Sequence, residues 1–383
     1  MQTFLPIFQT DPKAAYFAHR KEIDAAIARV LESGWYVLGS EVEAFESEFA
    51  EFIGIANAIG VASGTDGIEL ILRALGIGRG DLVITVSHTA VATVAGIELA
   101  EATPVLMDID AATFNLDVAR LDATIEQIQR NPQLGTLKAI MPVHLYGRPV
   151  DMSAVMDIAD RHGLYVVEDC SQAHGSIIGG KVTGTWGHAA AYSLYPTKNL
   201  GAIGDAGIVV TQDAALADEM KSLRQYGWKE RYISAVPGMN SRLDPLQAAI
   251  LRVKLQYLAA ENQRRAEIAA TYRQRLPHTG LTHPTAPENG THVYHQYVVC
   301  SDNRDALREF LRQQGIGTLI HYPAPVHLQA AYRDRLTLGA GGMPATEAIM
   351  PKIVSLPMHP YLSDTEVDRV CDTIAAWTAK NAA

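Results

Sequence analysis

Short apolar runs alternate with amphipathic segments through the first half of the chain. Four of these runs read as buried strands, at 82–86, 104–107, 139–143 and 164–167. Apolar positions at helical spacing intervene near 65–75, 89–100, 117–130 and 151–162. This alternation predicts an α/β protein with a largely parallel sheet covered by helices on both faces. Ligands of such sheets bind beyond the carboxyl ends of the strands, so the loops that follow the strands are the first candidates for a site.

Helical spacing also predicts two helices ahead of the first strand, over 21–33 and 41–52. In the second helix Phe45, Phe49 and Phe52 share one stripe, which is typical of a face packed into a core. We therefore assign these rings to the core rather than to a ligand.

The pattern changes after about residue 245. A long helical stretch runs from Leu246 to near Arg275. The segments after it read as strand-like at 292–300 and 318–322 and as helical at 304–314 and 364–378. We predict a large domain over residues 1–245, followed by a connecting helix and a smaller α+β domain over residues 246–383.

Composition restricts the class of protein. The 383 residues are 48% hydrophobic and carry a net charge of −10 without a basic cluster, so nucleic acid is not an expected partner. Three widely spaced cysteines with no CxxC pair argue against a zinc site and for a reducing compartment. The N-terminus lacks a signal-peptide pattern and no apolar run is long enough to span a bilayer, so we expect a cytoplasmic protein without membrane contact.

Lys198, in the segment 193–201, is the residue that indicates most about the chemistry of the protein. It follows the apolar run 189–192 and precedes a turn rich in glycine, a setting in which burial would lower the lysine pKa. A lysine amine that is neutral near pH 7 can attack a carbonyl and form a Schiff base. For this residue alone, the alternative is a lysine in a surface loop.

A second candidate segment is 167–175. Asp169 ends an apolar strand, where a lone carboxylate is costly unless a cation meets it. A protonated pyridine nitrogen would be such a cation, and the pairing would make the ring an electron sink. Gln172 could then hydrogen-bond a substituent of that ring. A structural ion pair or a loop cap is the alternative.

Two further segments offer groups to a phosphate. Residues 62–67 lead into a helix whose free N–H groups and dipole favour an anion, although an ordinary Ser or Thr cap is the simpler interpretation of this segment alone. Ser193 could donate to the same phosphate. Asn240 and Arg242 precede a long apolar helix and are otherwise loop and cap residues. Together the four segments point to an aromatic, carbonyl-bearing, phosphorylated cofactor.

The chain closely resembles the DegT/DnrJ/EryC1/StrS sugar aminotransferases. Four segments carry the resemblance, in this order along the chain: SGTDG, VEDCSQAHG, SLYPTKNLGAIGDAG and GMNSRLDPLQAA. The resemblance extends from about residue 34 to residue 360. It implies the aspartate-aminotransferase-like fold, type I of the pyridoxal-phosphate enzymes, with a mostly parallel central sheet flanked by helices and a smaller C-terminal α+β domain. It also implies pyridoxal 5′-phosphate as the cofactor and no metal.

The resemblance implies a role for each candidate residue. Lys198 would form the Schiff base with the cofactor, Asp169 would pair with the pyridine nitrogen, and Gln172 would contact the phenolic oxygen. The phosphate would be held by three residues of the chain and one of a neighbouring subunit: Gly64, Thr65, Ser193 and, across the interface, Asn240. The site would therefore require a homodimer.

One position departs from the family pattern. In many relatives the position of Ala90 is aromatic and stacks on the pyridine ring, which alanine cannot do. His88, two residues earlier, could supply the stacking surface instead. Its alternative role is that of a loop histidine capping the helix near 89–100.

By resemblance, the chain moves an amino group from L-glutamate to a nucleotide-linked keto-sugar. The loops SHTAVAT and YPAPVHLQ most resemble members that aminate dTDP-linked 3-keto-6-deoxyhexoses at C3. Contacts to the sugar or its diphosphate are expected from four residues that could equally be packing residues of loops: Tyr322, His327, Arg224 and Tyr226.

Several alternatives remain open. The same cofactor residues would serve amination at C4 of a UDP- or dTDP-linked 4-keto-sugar. A regulator that binds the cofactor without turnover is disfavoured, because a pure binding module needs no electron sink. A dehydratase is disfavoured because such relatives carry histidine where Lys198 stands. A nicotinamide dehydrogenase is disfavoured because no G-x-G-x-x-G follows the first strand.

Overall fold

The computed structural model describes residues 5–381, so residues 1–4 and 382–383 of the two predicted domains lie outside the described residues. The α-helices in the described part are α1 (Pro12–Ala18), α2 (Arg20–Ser33), α3 (Ser40–Ile53), α4 (Gly64–Ala74), α5 (Val91–Leu99), α6 (Leu121–Gln129), α7 (Met152–His162), α8 (Ala214–Leu223), α9 (Pro245–Leu255), α10 (Leu258–Arg275), α11 (Arg304–Gln313), α12 (Pro344–Ile349) and α13 (Asp364–Asn381). The strands are β1 (Asn57–Val61), β2 (Asp81–Val86), β3 (Thr103–Met107), β4 (Thr136–Ile140), β5 (Tyr165–Asp169), β6 (Ile177–Ile178), β7 (Lys181–Val182), β8 (Ala189–Ser193), β9 (Gly207–Thr211), β10 (Trp228–Glu230), β11 (Ile233–Ser234), β12 (Gly290–Thr291), β13 (Tyr297–Cys300), β14 (Thr337–Leu338) and β15 (Ile353–Leu356).

Eight strands form the central sheet, in the order β1, β9, β8, β5, β4, β2, β3 and β14. β9 runs antiparallel to both of its neighbours, and every other pair in the sheet is parallel. The prediction of a mostly parallel central sheet is confirmed. Since β1, β2, β5 and β8 all point the same way, the loops that follow them meet at one edge of the sheet.

Alternate residues of the strands fill two separate cores. Leu82, Ile84 and Val86 of β2 pack with residues of α6 and α7, whereas Val83 packs with residues of α4, α5 and α8. Successive side chains of a strand point to opposite faces, so helices cover the sheet on both sides. Burial on both faces also explains why these strands are continuous apolar runs in the sequence.

The two predicted N-terminal helices are α2 and α3. Each ends at a glycine in the left-handed conformation, Gly34 at φ 68° and Gly54 at φ 74°, which a residue with a side chain adopts rarely. Phe45 and Phe49 of α3 are fully buried and Phe52 is partly buried in the same cluster. The assignment of these rings to the core is confirmed.

The long helix predicted from Leu246 to Arg275 is in fact two helices. α9 packs on α2 and α3, whereas α10 packs on α13. One straight helix cannot contact both surfaces, so the chain bends at Gln256 and Tyr257. The Tyr257 hydroxyl donates to the carboxylate of Glu22 at 2.8 Å, which ties the bend to α2.

Two predictions of strands in the C-terminal part need correction. β13 covers only the last four residues of 292–300. The segment 318–322 forms no strand and has a single bridge, between Leu319 and Ser355. The residues that follow Leu319 bond to loops of the central sheet instead, and an edge strand cannot follow that path.

Two segments cross the predicted boundary at residue 245. Ile7 packs in the core formed by α10, α11, α13, β13 and β15, and it forms a bridge with Ile316. β14, from the C-terminal part, pairs with β3 at the edge of the central sheet. The division of the chain at residue 245 stays a prediction, and these two crossings tie the parts together.

Candidate active site

The loops after β1, β2, β5 and β8 enclose a cavity of about 240 Å³ at the carboxyl edge of the sheet. The topology of the sheet predicts a ligand at this edge. Six residues that were singled out from the sequence line the cavity: Gly64, Thr65, Asp169, Gln172, Ser193 and Lys198.

Lys198 lies half-buried in a tight loop after β8. Its backbone N–H donates to the Tyr195 carbonyl at 2.8 Å. The loop closes at Gly201, where a Cβ would lie 2.6 Å from the Pro196 carbonyl oxygen, so only glycine fits. Burial lowers the pKa of Lys198 from 10.5 to about 8, although the negative charge of Asp169 opposes the shift. The amine is therefore far easier to deprotonate near neutral pH than an exposed lysine.

Three buried or half-buried histidines surround this lysine. Burial, and secondly the charge of Lys198, lowers the pKa of His174 to about 3 and that of His321 to about 4. The same two causes lower the pKa of His295 well below its ordinary value. All three are neutral at physiological pH, so they add polar groups to the surroundings of Lys198 without adding charge.

The Asp169 carboxylate is 4% exposed and is held by two donors. Thr93 Oγ1 donates to Oδ2 at 2.8 Å, and the Ser171 backbone N–H donates to Oδ1 at 3.0 Å. The hydroxyl of Thr93 in turn lies 2.9 Å from the hydroxyl of Thr89, in the loop before α5. Thr93 is not among the residues predicted from the sequence, although two threonines four residues apart after a buried strand are a usable signal.

The N-terminus of α4 and the end of β8 form a cradle for an anion. Ser63 caps α4 by accepting from the Asp66 N–H at 3.1 Å, which leaves the N–H groups of Gly64 and Thr65 without intrahelical acceptors. A Cβ on Gly64 would lie 2.8 Å from Cβ of Ser193, so glycine is required for this close approach. The Ser63 cap, which was the alternative interpretation, and the anion cradle thus coexist.

Gln172 joins the cavity to two tyrosines. Its Oε1 accepts from the Tyr146 backbone N–H at 2.7 Å, and its Nε2 donates to the Tyr322 hydroxyl at 2.9 Å. Tyr322 is half-buried, and burial raises the pKa of its hydroxyl to about 12. Tyr146 could not be predicted from the sequence, because the residues Leu145, Tyr146 and Gly147 look like an ordinary turn.

The structure does not support the stacking role of His88. The ring is 2% exposed and is turned onto Tyr146, with Nε2 2.8 Å from the tyrosine oxygen. Ala90 and Thr89, not His88, line the cavity at this loop. The partner that holds His88 away, Tyr146, is distant in sequence and could not be foreseen from the loop itself.

Two of the expected substrate contacts, Arg224 and His327, are buried and bonded to other residues of the chain. Arg224 bonds to the Glu46 carboxylate at 2.6 Å and to the Gly60 carbonyl at 2.7 Å. His327 lies 2.6 Å from the Ser87 hydroxyl and 3.2 Å from the Glu347 carboxylate. The polar atoms of both side chains thus bond to neighbouring elements of the chain, and their role as substrate contacts stays a prediction.

Tyr226 and Asn240 lie away from the cavity of their own chain. Tyr226 is 39% exposed and, with the Arg242 guanidinium 5.9 Å from its ring centroid, lines an open surface groove beside Trp35. Asn240 is exposed on the segment that pairs with Gln225. Within the described chain, neither residue can contact a ligand held by Lys198.

A buried His144, Glu168 and Cys170 cluster lies behind Asp169 and has its own partners. Both Glu168 oxygens accept backbone N–H groups, from Gly184 at 2.8 Å and from Gly187 at 2.8 Å. His144 bonds to Glu168 at 3.1 Å through Nε2, and its Nδ1 accepts from the Val150 N–H. The cluster is a hydrogen-bonded anchor for the loop after β7.

The cavity fits a phosphorylated pyridine aldehyde. It offers a cradle of N–H groups for the phosphate, a buried carboxylate for a ring nitrogen, and a lysine of lowered pKa for the carbonyl carbon. At the edge of a mostly parallel sheet, this combination defines a pyridoxal-phosphate enzyme of fold type I.

The chain belongs to the DegT/DnrJ/EryC1/StrS aminotransferase family, whose model matches residues 18–375. It is a pyridoxal-phosphate-dependent aminotransferase. In the described part of the chain, no helix combines the length and the apolar character that crossing a bilayer requires.

Three curated relatives cover nearly the whole chain. The dTDP-3-amino-3,6-dideoxy-alpha-D-galactopyranose transaminase of Aneurinibacillus thermoaerophilus is 46% identical over 93% of this chain and 95% of its own. The dTDP-3-amino-3,4,6-trideoxy-alpha-D-glucose transaminase of Streptomyces venezuelae is 44% identical over 97% and 96%. The erythromycin biosynthesis sensory transduction protein EryC1 of Saccharopolyspora erythraea is 46% identical over 96% and 98%.

A solved structure confirms the fold. DesV of S. venezuelae, crystallised in complex with a ketimine intermediate, superposes with a TM-score of 0.92. It is 42% identical, and the match covers 98% of this chain and 99% of that one.

Proposed function

We propose that this enzyme moves an amino group from L-glutamate to C3 of a dTDP-linked 3-keto-6-deoxyhexose. The transaminases named for dTDP-3-amino sugars, at 44% and 46% identity over nearly the full chain, support this choice of acceptor. The observation that carries the chemistry is the pairing, in one cavity, of Lys198 with a pKa near 8 and the buried carboxylate of Asp169.

Each residue that lines the cavity has a proposed task. Bound pyridoxal phosphate supplies the electron sink. Asp169, oriented by Thr93, holds the proton on the ring nitrogen, and Gln172 donates to the phenolic oxygen. Lys198 carries the cofactor and then moves the proton at the α-carbon of the donor, because its amine is poised between charged and neutral near working pH.

The phosphate has proposed donors from one chain and from a second copy. Gly64, Thr65 and Ser193 surround the cradle. Asn240 is exposed and does not reach its own cavity, which agrees with a role across a homodimer interface. Tyr226, on the same exposed side, is proposed to contact the acceptor of the neighbouring site. Free cysteines agree with work in the cytoplasm.

Tyr322 is the remaining candidate for the acceptor within one chain. Arg224 is occupied by the carboxylate of Glu46 and His327 by the hydroxyl of Ser87, whereas Tyr322 bonds to Gln172, which lines the cavity. The Tyr322 hydroxyl is therefore proposed to bind the keto-sugar.

A regulatory role is a second candidate, because one relative at 46% identity is named a sensory transduction protein. The complete set of Lys198, Asp169 and Gln172 argues for turnover, since binding alone requires no electron sink. Turnover in vitro would decide between the two.

The test is a product analysis with purified enzyme, pyridoxal phosphate and L-glutamate. Enzymatically prepared dTDP-3-keto-6-deoxyglucose is offered beside dTDP-4-keto-6-deoxyglucose and a UDP-linked 3-keto-sugar. We expect a dTDP-amino-sugar with nitrogen at C3 by NMR, and no product from Lys198→Ala. Preferred amination at C4 or of the UDP sugar would replace the proposed acceptor, and no turnover of any keto-sugar would favour the regulator.

A further inference from the structure

We propose that Tyr146 is a positioning residue for the acceptor: it sets the hydroxyl of Tyr322 while remaining outside the cavity. This inference rests on the proposed function, in which Tyr322 binds the keto-sugar. Tyr146 is 3% exposed and is bonded to three segments around the cavity. These are the loop after β2, the loop after β5 and the segment 319–323 of the C-terminal part.

The donor and acceptor roles of the Tyr146 hydroxyl are fixed by its two partners. It donates to the carbonyl oxygen of His321. Because a carbonyl only accepts, the single hydroxyl proton is used there, and Nε2 of His88 must be the donor in the bond to the tyrosine oxygen. His88 therefore carries its proton on Nε2, and burial lowers its pKa to about 4, which keeps the ring neutral.

The backbone of Tyr146 fixes the amide of Gln172. An N–H can only donate, so the atom of Gln172 that it contacts at 2.7 Å is the oxygen. The amide nitrogen then donates to the Tyr322 hydroxyl. Within residues 5–381 the Tyr322 proton has no protein acceptor. Tyr322 itself does not line the cavity, but its hydroxyl lies one hydrogen bond from Gln172, which does.

The backbone conformation of Tyr146 makes both sets of bonds possible. Its φ of 60° and ψ of 4° lie in the left-handed region, which bulky residues adopt rarely. Such a conformation persists where the surroundings over-determine it. All three polar groups of Tyr146 make hydrogen bonds: the N–H and the hydroxyl donate, and the carbonyl accepts from the Gln296 N–H at 3.3 Å.

The two sets of bonds can be separated by mutation. Tyr146→Phe removes the hydroxyl that holds His321, the residue before Tyr322, but it keeps the backbone N–H that orients Gln172. The hydrogen bonds that Thr93 and Ser171 donate to Asp169, and the backbone bond of Lys198 to Tyr195, do not involve Tyr146. The variant should therefore impair the half-reaction that uses the keto-sugar and spare the half-reaction that uses L-glutamate.

The kinetic test is a double-mutant cycle of Tyr146→Phe and Tyr322→Phe, with dTDP-3-keto-6-deoxyglucose as acceptor. We expect Tyr146→Phe to raise the acceptor KM about tenfold with an unchanged single-turnover rate for L-glutamate. In the Tyr322→Phe background it should add little, since it acts through that residue. Independent, multiplicative effects of the two mutations would overturn the proposal.

The matched control is Tyr272→Phe. Tyr272 is also fully buried, and its hydroxyl donates to the Pro357 carbonyl at 2.9 Å, away from the cavity. We expect this variant to lose stability without a change in the acceptor KM. An equal change of KM in both variants would assign the effect to general loosening and would overturn the positioning role.

Hydrogen exchange tests the same inference without a substrate. The Leu319 N–H, which donates to the Ser355 carbonyl at 3.3 Å, reports on the segment that carries Tyr322. Its exchange should accelerate about tenfold in Tyr146→Phe and not in Tyr272→Phe. Unchanged exchange would refute the positioning role whether or not dTDP sugars are substrates, whereas faster exchange without turnover of them would count only against the proposed acceptor.

Discussion

Replacing Lys198 by methionine should stabilise the cofactor-free protein near neutral pH. Methionine fills a similar volume without a charge. The folded-state pKa of Lys198 is lowered from 10.5 to about 8, so between these pH values the unfolded chain binds more protons than the folded one. Stability of the wild type therefore rises with pH in this window. At pH 7 the buried lysine costs about 3 kcal/mol, and at pH 9.5 about 1.5 kcal/mol.

Urea unfolding of the cofactor-free proteins at pH 7 and pH 9.5 measures this difference. We expect the free energy of unfolding of Lys198→Met to be about 3 kcal/mol higher than that of the wild type at pH 7. This difference should shrink by about half at pH 9.5. The exposed Lys21, replaced in the same way, is the control for the general effect of removing one lysine charge. A gain for Lys198→Met that is the same at both pH values would refute the argument that burial lowers the pKa of Lys198.

Three further substitutions test other parts of the site. Gly64→Ala places a Cβ against Ser193 and should weaken the binding of pyridoxal phosphate about tenfold in equilibrium dialysis. Unchanged affinity would contradict the role of this cradle in binding the phosphate. Thr93→Val removes one of the two donors to Asp169 and should lower the free energy of unfolding by about 1–3 kcal/mol, whereas a neutral result would mean that the bond does not matter. Arg224→Leu leaves the carboxylate of Glu46, whose side chain is 12% exposed, without its cation and should cost about 3 kcal/mol of stability with the acceptor KM unchanged. A raised KM at full stability would favour a role of Arg224 in binding.

Much of the fold follows from local pattern. The strands β2, β3 and β5 are buried on both faces, and their apolar runs are therefore continuous and easy to identify. The bend between α9 and α10 could not be predicted from the local sequence, because neither residue at the bend, Gln256 or Tyr257, is a glycine or a proline. Its cause is the packing of the two helices against different surfaces.

The candidate site likewise contains residues that the local sequence indicates and residues whose partners are distant in the chain. Asp169 ends a strand, and Gln172 and Lys198 follow strands, whose carboxyl ends must meet, so the sequence placed all three near one edge of the sheet. The partners of His88, Arg224 and His327 come from distant parts of the chain, so the sequence could not tell an occupied side chain from a free one. Here a polar residue in a loop near the site was not sufficient evidence for contact with a ligand.

The central claim is that Lys198 carries pyridoxal phosphate and that L-glutamate is the donor. The most direct measurement is the visible absorption of the purified protein with pyridoxal phosphate, before and after L-glutamate, beside Lys198→Ala. We expect a yellow band in the wild type that L-glutamate bleaches and that the variant lacks. A band that L-glutamate leaves unchanged would contradict the choice of donor, and the same band in Lys198→Ala would contradict the role of the lysine.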